Sequence, residues 1–97
     1  MTEREAKKEL MRRALEINPT VHVGKEGLKE SVYDEVSAQL KKNRLIKIKV
    51  LGNAEDDVGD VAQALAEATK SVVVDVRGSV VLLTDSRTWK SLSEKKF

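Results

Sequence analysis

Gly24-Lys25-Glu26-Gly27 combines residue types and spacing suited to holding a ligand. It sits in the stretch VHVGKEGL, between a β-branched run and the first apolar residue of a helical pattern. Glycine has no Cβ, so a second backbone can come close to it. The first N–H groups of a helix lack intrahelical partners, and the helix dipole makes that end positive. Such an end takes anions. Lys25 adds a mobile cation, and Lys29 follows just beyond the step. A sugar-phosphate strand suits this combination. Glu26 opposes it by placing a negative charge in the same loop. No Gly-Lys-Ser/Thr ending is present, so this is not a nucleotide-binding P-loop. The four residues also fit a plain strand-to-helix turn.

Other candidates carry two readings each. Arg4, Lys8 and Arg12 recur at i, i+4 and i+8 with Arg13 alongside, a basic stripe. Glu3, Glu5, Glu9 and Glu16 share that segment, so it also reads as a solvated face laced with ion pairs. Lys41, Lys42 and Arg44 gather where a helix should end, the place where cations suit the dipole. Lys47 and Lys49 alternate with apolar residues, and Arg77 precedes a turn. A single histidine, His22, cannot build a multi-histidine metal site, and its position between Val21 and Val23 reads as a polar face. Asp56 and Asp57 read as helix caps rather than metal ligands. Trp89 can stack on a base or pin the C-terminal segment. With no nucleophile–base pair and no ligand cluster, neither an enzyme nor a bound metal or cofactor is expected.

These residues need elements to position them. Thr2-Glu3-Arg4-Glu5 forms a capping box, followed by Ala6, Leu10, Ala14 and Ile17 at helical spacing until Asn18-Pro19 stops the helix. Thr20 to Val23 reads as a strand. Leu28, Val32, Val36 and Leu40 mark a second helix ending near Lys42, with Asn43 just beyond it. Ile46, Ile48 and Val50 alternate with Lys47 and Lys49, the pattern of a strand with one buried and one wet face. Asp56 or Asp57 caps a third helix with the stripe Val58, Val61, Ala62, Leu65 and Ala66. Ser71 to Val76 reads as a well-buried strand, Gly78-Ser79 as a type II′ turn, and Val80 to Leu83 as the returning strand.

The order predicts one α/β (α+β) domain, α-β-α-β-α-β-β. Each β-α-β step should give parallel neighbours. The result is a four-stranded mixed sheet with helices mainly on one face, and with His22, Lys47, Lys49, Asp75 and Arg77 on the other. Residues 1–84 form the domain, and residues 85–97 a loosely packed polar tail.

Composition narrows the function. A chain of 97 residues suits one domain. Charged residues make up 35%, but the net charge is only +2, so any nucleic-acid site depends on clustering rather than on overall charge. Aromatic residues are 3%, which excludes an RRM-like stacking platform. There is no cysteine for a disulfide or a cysteine-based zinc site. No apolar run is long enough to cross a bilayer, and the first ten residues are charged where a signal peptide would be apolar. A soluble cytoplasmic monomer without a membrane partner is expected.

The stretch NPTVHVGKEGLKESVYDEVSAQLKKNRLIKIKVLG resembles the CRM domain, named for chloroplast RNA splicing and ribosome maturation. Pro19, the Val-x-Val-Gly-Lys-x-Gly-Leu core, the helix and the Leu-Ile-Lys-x-Lys-Val strand match in order, and Val76-Arg77-Gly78 fits more loosely. The resemblance spans about residues 2–84 and points to the stand-alone prokaryotic YhbY type. It implies a fold similar to the C-terminal domain of bacterial translation initiation factor three. It also implies RNA as partner, with stand-alone members tied to precursors of the large ribosomal subunit. The glycine step itself is like the GxxG loop that KH domains use to clamp a nucleotide backbone. The candidate RNA site comprises Gly24, Lys25, Glu26, Gly27 and Lys29, with Arg12, Arg13, Lys47, Lys49 and Arg77 as further basic contacts. Members often carry arginine after the hairpin glycine and Tyr-Arg at the end of the last strand; this chain has Ser79 and Thr84-Asp85 there. Two other readings remain open, a general nucleic-acid binder of the Alba type and a protein-interaction module using the open sheet face.

Overall fold

The computed structural model describes residues 2–24, 27–52 and 57–94. Helix α1 (Glu3–Ala14) starts on the expected capping box. The Thr2 hydroxyl accepts from the Glu5 N–H at 3.2 Å, and the Glu5 carboxylate accepts from the Thr2 N–H at 3.1 Å. The helix ends short of Ile17 because the amides of Leu15, Glu16 and Ile17 turn to the carbonyls three residues back. The chain continues through β1 (Val21–Val23), α2 (Glu30–Asn43), β2 (Leu45–Val50), α3 (Val58–Thr69), β3 (Ser71–Arg77), β4 (Val80–Asp85) and α4 (Ser86–Ser93). Of the two expected α3 caps, Asp57 serves, accepting from the Gly59 N–H at 3.1 Å; Asp56 lies outside the described residues. Gly78 has φ +55° while Ser79 stays out of the left-handed region, as a type II′ turn requires.

Three expectations are corrected. The segment after β4 is not a loose tail as far as Ser93. Asp85 caps it by accepting from the Thr88 N–H at 3.3 Å, and Trp89 and Leu92 turn inward, giving α4. The sheet order is β1-β2-β4-β3, with β1 parallel to β2 and β4 antiparallel to both its neighbours. Thus β3 does not sit beside β2. Strand β4 is apolar on both faces, with Val81, Leu82, Leu83 and Thr84 all buried, so it takes the central slot where both edges are paired. The valine run of β3 is consequently an edge strand, irregular between Val73 and Asp75, with Val74 its one buried residue.

Helices α2 and α3 share one face. There Val36, Leu40, Val61 and Leu65 meet Ile46, Ile48, Val81 and Leu83 in the larger core. Helices α1 and α4 lie against part of the other face, where Leu10 and Ala14 meet Leu45, Val74 and Leu82, flanked by Trp89 and Leu92. Among the described residues no helix is long and apolar enough to cross a membrane.

Candidate nucleic-acid interface

The glycine step is a tight turn. The Gly27 N–H donates to the Gly24 carbonyl at 2.9 Å. Gly27 has φ +72°, a conformation that disfavours every residue with a Cβ, so its identity follows from the backbone. Gly24 is different: a Cβ there would meet only the Leu51 side chain, at an ordinary 3.5 Å. Lys25 and Glu26 lie outside the described residues. Helix α2 does not start at Leu28 as expected but at Glu30, with Lys29 extended as its N-cap. Lysine has no acceptor, and its side chain makes no capping bond, so the first amides of α2 receive no side-chain cap from that position.

The turn shares one end of the sheet with the β3–β4 hairpin. The Leu51 N–H donates to the Val23 carbonyl at 2.8 Å, and the Val50 N–H to the Ser79 carbonyl at 2.7 Å. From that end a row of paired residues crosses all four strands. His22 pairs with Lys49, Lys49 with Val80, and Val80 with Arg77. A second row sets Lys47 against Leu82 and Leu82 against Asp75. The alternation expected for His22, Lys47, Lys49, Asp75 and Arg77 therefore holds: they share the face away from α2 and α3. His22, Lys49 and Arg77 are exposed, and Lys47 and Asp75 are half-buried. The Arg77 guanidinium donates to Asp75 at 3.1 Å.

The α1 stripe takes a form that spacing alone could not settle. Arg12 donates to Glu9 at 2.7 and 2.8 Å through Nη2, and Arg13 donates to the same carboxylate at 3.1 Å through Nε. These bonds hold the Glu9 carboxyl below its ordinary range, the Arg12 bond being the main cause. They also raise the Arg12 guanidinium above its own. Two cations thus share one carboxylate, and Glu16 adds a weaker attraction on Arg12. Lys41 and Arg44 lie at the opposite end of α2 from the glycine turn, beside Thr69 and Arg87, and do not join the row. Among the described residues no group of acidic, histidine or cysteine side chains could hold a metal ion.

The apolar members of this face, Val80 and Leu82, read from sequence only as part of a returning strand; the turn chemistry marks that strand, but nothing local marks its pairing with β2.

The sequence model of the CRS1/YhbY (CRM) domain matches residues 1–83. The chain is 34% identical over 77 residues to "Probable RNA-binding protein YqeI" of Bacillus subtilis, covering 79% of this chain and 80% of that one. It is 42% identical over 93 residues to "Probable RNA-binding protein MJ0652" of Methanocaldococcus jannaschii, covering 93% and 69%. The solution structure of SAV1595 from Staphylococcus aureus superposes with a TM-score of 0.73 at 34% identity, over 89% of this chain and 90% of that one. The capping box, the GxxG turn and all of the mixed sheet but the last two residues of β4 lie within the matched span, and this chain belongs to the CRM domain family.

Proposed function

We propose that this protein binds RNA without catalysing a reaction, and that it acts on ribosomal RNA precursors during assembly of the large subunit. The observation that carries the reading is the row His22–Lys49–Val80–Arg77, which starts at the end of the sheet from which the Gly24–Gly27 turn leaves. An RNA backbone clamped at the turn would continue along Lys49 and Lys47 on the part of the sheet face that α1 and α4 leave open, with Arg12 and Arg13 adding charge from α1. The names of the YqeI and MJ0652 relatives support RNA as the ligand, and the resemblance to stand-alone family members supports its ribosomal origin. Gly27 shapes the turn, the Gly24 carbonyl closes it, and Lys25 supplies the cation.

Titration of single-stranded RNA at a series of salt concentrations tests this. Affinity should fall with a slope of about −0.7 in log–log form for each phosphate contact. Replacing Lys25 and Glu26 together by aspartate keeps both glycines, and its melt should stay within about 1 kcal/mol of wild type. RNA affinity should nevertheless drop sharply. Absent or salt-independent binding by the wild type sinks the reading. A double variant that melts and binds normally moves the backbone contact away from the turn. Sequencing of RNA crosslinked in cell extract should return large-subunit precursor fragments.

A further inference from the structure

We propose that the groove between the last turn of α1 and the sheet holds one unstacked base of the bound RNA; this rests on the RNA-binding reading above. The groove encloses about 250 Å³. A dry cavity of about 150 Å³ is enough to take a benzene ring, so a heterocyclic base fits. Val80 and Leu82 of β4 form its floor, and Met11, Ala14 and Leu15 of α1 form its wall. Leu15 is 82% exposed although it is a large aliphatic residue, the most exposed of its kind among the described residues. A base seated against it would cover that surface.

The rim gives the charge that a flanking backbone needs. Lys47 borders the groove on the β2 side of β4; on the β3 side stand Asp75 and Arg77, ion-paired at 3.1 Å. Lys49 pairs with the floor residue Val80. Adjacent strands lie about 4.8 Å apart, so Lys47 and Lys49 on one side of the apolar floor, and Arg77 on the other with its charge partly met by Asp75, stand within a nucleotide's reach and leave a net positive rim. That pattern fits a ring flanked by phosphates. It does not fit an acyl chain, which has no charge on both sides. Aromatic side chains, the usual platforms for bases, are committed elsewhere. Tyr33 packs against the larger core and Trp89 against the smaller one, and no described aromatic ring lines the groove. An aliphatic slot takes the place of a stacking platform.

The test compares the whole chain binding a short single-stranded RNA of mixed sequence with its binding of the same strand made of abasic ribose phosphate, by fluorescence anisotropy at matched salt. Intact RNA should bind the wild type about tenfold more tightly, the effect of burying roughly 55 Å² of apolar surface, with the same salt slope. Val80→Phe fills the groove without changing charge. It should reduce the preference, read as the ratio of the two affinities within the same variant, to less than about twofold. Leu15→Ala removes the exposed wall without touching the core and should reduce the preference in part; it carries the test if a melt shows Val80→Phe to be unfolded. Equal binding of the two strands by the wild type, or a preference that survives the folded variants, overturns the base slot and leaves RNA binding standing. Failure of the wild type to bind either strand overturns both.

Discussion

Glu9 holds two guanidiniums, and this makes it a brake on any anion that approaches α1. Glu9→Gln should free Arg12 and Arg13, tighten RNA binding, and steepen the salt slope by up to about 1.4, two contacts at roughly 0.7 each. A titration at two salt concentrations reads this, and an unchanged slope would mean that neither arginine meets phosphate. The pH dependence has a definite sign. The folded carboxyl is depressed, so its ion pairs are intact above the ordinary glutamate value of about 4.3 and are lost as pH falls through the lower folded value. Glu5 follows the same rule, because the Thr2 N–H donates to its carboxylate. A different residue-scale constraint sits at Arg44, which takes φ +64° as the cap of α2 without being glycine. Its carbonyl accepts from the Thr84 hydroxyl at 2.7 Å and the Asp85 N–H at 3.2 Å, so contacts from β4 hold a conformation that local sequence disfavours.

At the scale of elements, α4 shows how eight residues without one fully buried side chain become a helix. Isolated, so short a segment would not persist in water. The Asp85 cap and the seating of Trp89 and Leu92 against Leu10, Leu45, Val74 and Leu82 supply what propensity does not. Trp89→Ala should therefore destabilise the protein by about 2–3 kcal/mol, somewhat less than a fully buried tryptophan, and hydrogen exchange should rise first in α4. A change below about 0.5 kcal/mol would mean that the tryptophan lies loose on the surface. Because α1 and α4 touch, the same variant should loosen the wall of the groove, whereas Leu15→Ala should not alter the melt. Helix α1 is specified differently, since its capping box and acidic first turn favour it before any tertiary contact forms.

On the scale of the whole molecule, the two apolar clusters lie on opposite faces of one sheet, and β2 and β4 contribute to both: Leu45 and Leu82 to one, Ile46, Ile48, Val81 and Leu83 to the other. A Cα radius of gyration of 13.0 Å is close to the roughly 12.5 Å expected of one domain this long. The faces should unfold together. Leu10→Ala on one side and Leu65→Ala on the other, both completely buried in the native protein, should each cost about 2–5 kcal/mol. Each should lower a single calorimetric transition, by about 4–8 °C per kcal/mol. Two separate transitions in either variant would show that the faces are independent units.

Local chemistry determined much of this protein before tertiary contacts enter. Thr2 with Glu5, Asp57 before Val58, and the alternation from Ile46 to Val50 each act through neighbours within four residues, so their outcome is written in short spacing. The turn at Gly24–Gly27 was legible for the same reason, as was the lysine face of β2. Tertiary structure alone decided which strand lies at the centre. Strand β3 is rich in valine and β4 in valine and leucine, and only the pairing of β4 with β2 shows that one is buried on both faces and the other is an edge. It also decided the start of α2, since Leu28 fits the helical period but packs against the larger core from the loop before Glu30. Helix α4 and the groove beside α1 depend on residues far apart in the chain, Met11 and Leu15 with Val80 and Leu82. No periodicity within either segment encodes that meeting; it arises because the sheet needs a cover over Leu45, Val74 and Leu82, and α1 is the amphipathic helix within reach.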